Sequence, residues 1–488
     1  MPRRDRSHDD RGLVGRLVAL VVVLALSAAG VAAWRLDLVV PWYEHLTGDD
    51  REPVSPAAVA PPPGLDLPVL PAGAPVAAPA DGPGLAPAKV RRALAPHLAD
   101  PRLGPHVLAT VVDLETGEVV HDRGSGAAVP ASTTKVVTAV AALVALGPEH
   151  RFTTRVVAGG GNRVVLVGGG DPLLGSAPPD GETAYPAERA DVETLAQQTA
   201  VSLRERGRTR VRVGYDDSLF AGPSFNPAWP PTYRGDVVAP VTALWVDEGR
   251  PAEGYGRVED PSLVAATAFA GALSRAGIEV VGEPQRGVAG AGGAELASLA
   301  SPPVREIVER VLLVSDNEAA EVLAHHVGLA RGQEGSFEGG AAATEAVLAE
   351  LGVPQQGLRL RDGSGLSREN RISPEALVAA LAAATAPDRP ALHSVLGSLP
   401  VAGFTGSLAY RFDEGDPAGR GSVRAKTGTL TNVRSLAGVG TDRDGTPYLF
   451  VLMADRIRKK DDDYAQRVLD RAAGALGACR CSVAPSAG

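Results

Sequence analysis

The stretch Pro130-Ala131-Ser132-Thr133-Thr134-Lys135-Val136-Val137-Thr138-Ala139-Val140-Ala141-Ala142-Leu143-Val144-Ala145-Leu146 carries no charge after Lys135. A segment of that length that is apolar on every side reads as a helix buried at the centre of a domain. Ser132 stands at its N-terminus, where unpaired N–H groups and the helix dipole favour negative charge. Lys135 follows three residues later, on the same face. A hydroxyl and an amine are therefore brought within reach of each other at the mouth of a core helix. Taken alone, Ser-x-x-Lys is no more than an N-cap serine with a lysine nearby.

Composition gives that lysine more weight. Of the 48 basic residues only five are lysines: Lys89, Lys135, Lys426, Lys459 and Lys460. In a chain that writes positive charge as arginine, a retained lysine points to a task arginine cannot perform, since an ammonium loses its proton when desolvated and a guanidinium does not. The 57 acidic residues leave a net charge of −9, which argues against a nucleic-acid partner. Apolar residues make up 44% of the 488 positions, enough for substantial cores, and the length corresponds to about three domains. Two cysteines cannot build a disulfide-dense scaffold or a four-thiolate zinc site, and no metal or cofactor is expected.

Residues 1–16 form a basic tail with five arginines, and Leu17 to Trp34 is an 18-residue uncharged run. This reads as a membrane signal with a cytoplasmic N-terminus and an exported body, either an uncleaved transmembrane anchor or a cleaved signal segment with small residues at its end. Residues 35–88 follow as a Pro/Ala-rich spacer, with eleven prolines between 51 and 88. The folded part begins near Lys89.

Two more motifs lie downstream. Val304 to Val314 reads as an amphipathic helix ending in Ser315-Asp316-Asn317, with another helix from Glu318 to Ala330. Ser315 and Asn317, two apart in a turn, are placed to face one cleft. Later, Ser422-Val423-Arg424-Ala425-Lys426-Thr427-Gly428-Thr429 alternates like a strand, and Gly428 permits close approach of another backbone. Strands at 433–440 and from Tyr448 to Met453 follow, then a helix at 462–476 expected to pack on these strands and on an early hairpin at 107–121. With these three motifs in order, the chain resembles the penicillin-binding serine DD-peptidases and β-lactamases, a motif set that is the standard worked example for those enzymes.

Spacing selects the branch. Ser132 and Ser315 are 183 residues apart, Ser315 and Lys426 are 111 apart, and a β-lactamase-type fold needs only a short helical region between the first two. More than 100 residues are left over, and the sequence is similar to low-molecular-mass D-alanyl-D-alanine carboxypeptidase/endopeptidases of the peptidase S13 family, which carry an insertion there. Gly168-Gly169-Gly170-Asp171-Pro172 and Asp362-Gly363-Ser364-Gly365-Leu366-Ser367-Arg368 fit the same resemblance. It implies an α/β (α+β) fold of the serine β-lactamase/DD-peptidase type, an antiparallel sheet with helices, discontinuous over 89–155 and 300–478. An inserted β-rich domain occupies 156–299, short for two complete extra domains, and 479–488 is a tail. Within the insertion the sequence reads as a hairpin at 154–168, helices at 190–206 and 261–277, and a strand at 209–215.

A buried amine beside a second cation at Lys426 has a depressed pKa, so Lys135 can act as the base for Ser132. The resemblance adds the remaining roles: Ser315 as proton relay to the leaving amine, Asn317, Lys426, Thr427, Gly428 and Thr429 in substrate binding, and the backbone amides of Ser132 and Thr429 as the oxyanion hole. It implies peptidoglycan stem peptides as substrates and β-lactams as covalent inhibitors. A β-lactamase, or a wall-binding or β-lactam-sensing module with little turnover, is the alternative. Several features read blandly. His325 and His326 are expected on an ordinary helix surface rather than as a metal pair, and Asp171 and Arg368 in turns or at the cleft wall. Asp461 to Asp463 are expected in a solvated loop and helix start. Cys479 and Cys481 are too close for an easy mutual disulfide, leaving a strained bridge, a partner thiol or free thiols open.

Overall fold

The run Tyr448 to Ala454 is buried at every residue, so it has to lie in a sheet covered on both faces. The computed structural model, which describes residues 84–483 apart from 180–185, 187 and 416, places it there. The N-terminal tail, the apolar segment 17–34 and nearly all of the spacer lie outside the described residues. Among those described, no helix is long and apolar enough to cross a membrane.

In chain order the elements are α1 (Pro87–Leu98), β1 (Val107–Asp113), β2 (Val119–Arg123), α2 (Thr134–Leu146), β3 (Thr153–Ala158), β4 (Arg163–Val167), α3 (Val192–Glu205), β5 (Arg210–Asp216), α4 (Pro261–Arg275), β6 (Glu279–Val280), β7 (Gln285–Arg286) and β8 (Glu295–Ala300). There follow α5 (Val304–Leu313), α6 (Asn317–Ala330), α7 (Phe337–Glu350), α8 (Pro374–Ala383), α9 (His393–Gly397), β9 (Val423–Leu430), β10 (Val433–Thr441), β11 (Pro447–Ala454) and α10 (Asp462–Ala478). Helix starts follow the side chains that can cap them. Asp191, Asp260, Asp316, Ser336 and Ser373 each accept the backbone N–H three residues on, satisfying one otherwise unpaired donor.

The first sheet has the order β2-β1-β11-β10-β9 and is antiparallel throughout. Alternation along β11 sends Leu449, Val451 and Met453 to one side and Tyr448, Phe450 and Leu452 to the other. The first set joins a core with α2, α5, α6, α7 and α8; the second is covered by α1 and α10. Thr134 to Leu143 are all buried, so α2 is the central helix its composition demands. The last helix packs on β9 and β10, as expected, and also on α1, which is absent from the sequence reading and lies over β2 of the hairpin. Both ends of the folded chain thus close one face of the same sheet.

The insertion forms a second, six-stranded sheet, ordered β6-β5-β4-β3-β8 with β7 also beside β5. β3 to β4 and β3 to β8 are antiparallel, while β4–β5, β5–β6 and β5–β7 are parallel, with α3 and α4 as the crossovers and as its apolar cover. Period-two patterning does not distinguish parallel from antiparallel pairing, which is why the mixed sheet was not foreseen. One stretch of the insertion leaves this sheet: Trp229, Val238, Val241 and Trp245 form a cluster with Val322, Phe337 and Leu366 outside the insertion. Through it the insertion reaches the cleft described below.

The cysteine pairing left open by the sequence is settled, the histidine expectation is corrected, and the acidic run is partly so. Cys479 and Cys481 are bonded to each other. The backbone N–H groups of Cys481 and Ser482 both donate to Asp442 Oδ2, turning the chain after α10, and the Cα atoms stand 5.1 Å apart, a usual separation for a bridge. His325 and His326 are buried rather than on a helix surface. His326 stacks on Phe152 with ring centroids 3.8 Å apart and donates from Nε2 to the Gly170 carbonyl at 2.9 Å. Burial drives both imidazoles to their neutral forms, with pKa values of about 4 and about 3. Among the described residues no group of side chains is arranged to hold a metal ion. Of the acidic run, Asp462 is structural: both its carboxylate oxygens accept the Asn432 N–H at 3.0 Å, at the turn between β9 and β10.

Truncating the side chain that fills the middle of the α1/α10 face tests this layering. Phe450→Ala is expected to cost about 3–5 kcal/mol of unfolding free energy, measured by urea titration; a loss under about 1 kcal/mol would mean that face is not packed as described.

Candidate active site

The turn that carries Ser132 is held by contacts only small residues permit. Ala131 has φ +51 and a short 3₁₀ turn, Ala131–Thr133, leads into α2. The Pro130 carbonyl accepts from Thr133 Oγ1 at 2.7 Å and from Ser435 Oγ of β10 at 2.6 Å. A Cβ at Gly428 would stand 2.5 Å from that carbonyl and 2.0 Å from Ser435 Oγ; a Cβ at Gly365 would stand 1.9 Å from the Ala131 carbonyl. Two glycines, one on β9 and one in the loop after α7, therefore let the Ser132 turn lie flat against both.

Lys135 is wholly buried, and its Nζ has three neighbours: Ser132 Oγ at 3.0 Å, Asn317 Oδ1 at 2.8 Å and the Ser364 carbonyl at 2.7 Å. Two of these are oxygens that only accept. Desolvation lowers its pKa to about 8, against the opposing pull of Glu321, Asp362, Asp316 and Glu318. Burial rather than Lys426 is thus what depresses it. Charge repulsion falls on Lys426 instead, whose pKa lies well below the ordinary lysine value through burial, then Lys135, then Arg411. Lys426, also wholly buried, donates to Ser315 Oγ and to the Thr427 carbonyl, both at 2.9 Å.

The Ser315-Asp316-Asn317 turn alternates in direction. Ser315, at φ +63, and Asn317 meet the two lysines, while Asp316 points into the protein and caps α6 through the Ala319 N–H at 3.0 Å. Asp316 also accepts from Arg310 at 2.9 Å, and Arg310 reaches Glu248 of the insertion at 2.5 Å, which in turn pairs with Arg250 at 2.7 Å. Burial opposes ionisation of Glu248, but Arg310 and Arg250 hold its pKa down to about 2; burial and Glu248 push Asp316 up. This chain of ionisable groups, buried at Glu248 and Asp316, ties the insertion to the turn that presents Ser315.

Ser132, Ser315, Asn317, Thr427 and Thr429 line one open cleft of about 290 Å³, together with Tyr233, Val237, Leu366 and Leu430. All three motifs therefore meet. Sequence reasoning missed Ser364, whose carbonyl holds Lys135, and Glu321, which lies one turn beyond Asn317 on α6 and accepts the Gly363 and Ser364 N–H groups at 3.0 and 2.8 Å. Spacing contained the signal, since Asn317 and Glu321 are four apart on a helix. It also missed Tyr233 and Val237, whose place depends on tertiary packing. Asp171 and Arg368 serve turns: Asp171 accepts the Leu173 N–H at 2.9 Å, and Arg368 donates to the Thr431 carbonyl at 2.7 Å.

Comparison with known proteins gives a consistent set of likenesses. Residues 90–253 and 250–476 match the model of the D-Ala-D-Ala carboxypeptidase 3 (S13) family. A carboxypeptidase of Mycobacterium tuberculosis is 37% identical over 439 residues, covering 87% of this chain and 91% of that protein. The carboxypeptidase DacB of Mycolicibacterium smegmatis is 35% identical over 475 residues, covering 94% and 96%. The crystal structure of penicillin binding protein 4 from Haemophilus influenzae shares the fold, with a TM-score of 0.64 at 20% identity over 79% of this chain and 97% of that one.

Adding one methyl group at the β9 contact checks the geometry. Gly428→Ala is expected to displace the Ser132 turn and to slow acylation by a fluorescent penicillin on the order of a hundredfold, with far-UV circular dichroism unchanged. Labelling at the wild-type rate would show that the close approach is dispensable.

Proposed function

The chain belongs to the D-Ala-D-Ala carboxypeptidase 3 (S13) family and is a serine-type D-Ala-D-Ala carboxypeptidase, and from that premise we propose that Ser132 is its nucleophile and Lys135 the base that activates it. The observation that supports this most directly is the set of partners around Lys135 Nζ. A neutral amine has two N–H donors and one lone pair. Asn317 Oδ1 and the Ser364 carbonyl take the two donors, so the lone pair faces Ser132 Oγ at 3.0 Å.

The steps follow from the same contacts. Lys135 takes the Ser132 proton as Oγ attacks the carbonyl of the penultimate D-alanine, and the oxyanion settles on the backbone N–H groups of Ser132 and Thr429. Ser315 accepts from Lys426, so its own O–H is free to protonate the departing amine while the Lys426 ammonium replaces the proton it gives. The peptide C–N bond breaks, D-alanine leaves, and an acyl-enzyme remains on Ser132 until water attacks its carbonyl, the water's proton passing through Ser315 to Lys426 while the ester C–O bond breaks and Lys135 returns its proton to Ser132 Oγ. Lys426 and Thr427 hold the terminal carboxylate of the leaving residue, and such a carboxylate beside Lys426 favours its protonated form. Asn317, Gly428 and Thr429 complete the substrate site, the last two along β9.

The natural substrates in this reading are peptidoglycan stem peptides, with β-lactams as inhibitors that acylate the same oxygen. The same steps open a DD-crosslink when the leaving amine belongs to a second stem peptide, so endopeptidase action is included. The N-terminal segment 17–34 would place the enzyme outside the cytoplasm, as a membrane anchor or as a cleaved signal.

Intact-mass measurement after exposure to penicillin is expected to show one long-lived adduct, mapped to Ser132 and absent in Ser132→Ala. Lys135→Arg, which keeps the charge and loses the base, should slow adduct formation by at least about a hundredfold. An adduct that persists in Ser132→Ala, or an arginine variant as fast as wild type, contradicts the assignment. Rapid turnover of a chromogenic cephalosporin would favour a β-lactamase instead.

A further inference from the structure

Ser407 belongs to no motif read from the sequence, yet its Oγ lies 3.0 Å from Thr427 Oγ1. The loop that brings it there is fixed at both ends. Before it, residues 400–402 run along the outer edge of β9, with the Ala425 N–H donating to the Pro400 carbonyl at 3.0 Å and the Ala402 N–H to the Val423 carbonyl at 2.9 Å. After it, Arg411 makes a two-pronged pair with the buried Asp470 of α10, at 2.5 and 3.0 Å. Between them, Gly406 (φ +52) lies so close to α5 that a Cβ would stand 2.1 Å from the Leu313 carbonyl, two residues before Ser315. Ser407 is therefore registered against both the Ser315 turn and the strand of Lys426 and Thr427.

A threonine hydroxyl has one proton to give. If Thr427 gave it to Ser407, nothing would remain for a ligand in the cleft that Thr427 lines. With Ser407 as donor, the Thr427 O–H is turned outward into that cleft, and each bond in the chain strengthens the next. We propose that Ser407 is a positioning residue for substrate recognition, whose hydroxyl orients Thr427 toward the C-terminal carboxylate of the leaving residue and so selects peptides that end in a free acid. This rests on the reading that Lys426 and Thr427 receive that carboxylate, and it gives the 400–411 loop a role in specificity.

The test compares two substrates on the full-length enzyme: an N-acylated peptide ending in D-Ala-D-Ala, and the same peptide with a C-terminal amide. Wild type is expected to prefer the free acid. Ser407→Ala should lose about fivefold in kcat/KM on the acid, carried by KM, and nothing on the amide, so that the preference narrows by about fivefold. Ser407→Thr, which restores a hydroxyl, should recover most of the loss. An unchanged preference in Ser407→Ala overturns the proposal. So does an equal loss on both substrates, which would mark Ser407 as merely structural. A wild-type enzyme that releases neither D-alanine from the acid nor D-alaninamide from the amide, or that does not favour the acid, would instead contradict the carboxylate reading beneath it.

Discussion

An amine with no exposure to water, held by two oxygens that can only accept, is the constraint on which the rest depends. Removing Lys135 from solvent costs its charged form more than nearby acids return, and its pKa falls to about 8. Fixing its two donors on Asn317 and Ser364 then decides which way the lone pair faces. Neither effect alone suffices: a desolvated lysine without fixed partners has no direction, and a well-held lysine in water has no free base near neutrality.

Much of the fold serves that placement. α2 has to be apolar all round because helices and the first sheet surround it, which puts Lys135 in the core one turn from the surface. α6 supplies Asn317 directly and Glu321 one turn on, and Glu321 grips the loop whose Ser364 carbonyl is the second acceptor. The insertion contributes Glu248, linked through Arg310 to Asp316, and so steadies the turn between Ser315 and Asn317 from behind. Left-handed backbone at Ala131 and Ser315 occurs at the two turns that bring Ser132 and Ser315 to the cleft, where surrounding contacts hold a conformation that non-glycine residues seldom adopt.

The catalytic half was legible in the sequence for a physical reason. Lysine is scarce here, and both buried lysines fall inside short motifs whose neighbours have strong local preferences: an uncharged helix, a capped turn and an alternating strand with one glycine. The family resemblance joined those pieces across gaps of 183 and 111 residues. What stayed hidden was tertiary. Ser364 acts through its carbonyl, so its side chain gave no sign of its role; Ser407, Tyr233 and Val237 reach the cleft only because of how loops pack. The buried histidines misled because a polar pair on a helix gives no notice of the aromatic rings that will cover it. The cysteine pairing stayed open because the Cys481 and Ser482 N–H groups turn the chain by bonding Asp442, which is distant in sequence.

The pH dependence of Ser132 acylation under pre-steady-state conditions tests the account most directly. With Lys135 as a buried base, the second-order rate for a penicillin must rise with pH as the amine sheds its proton, reaching half its plateau at about 8. A half-point near the ordinary lysine value of 10.5, or a rate indifferent to pH across that range, would contradict it.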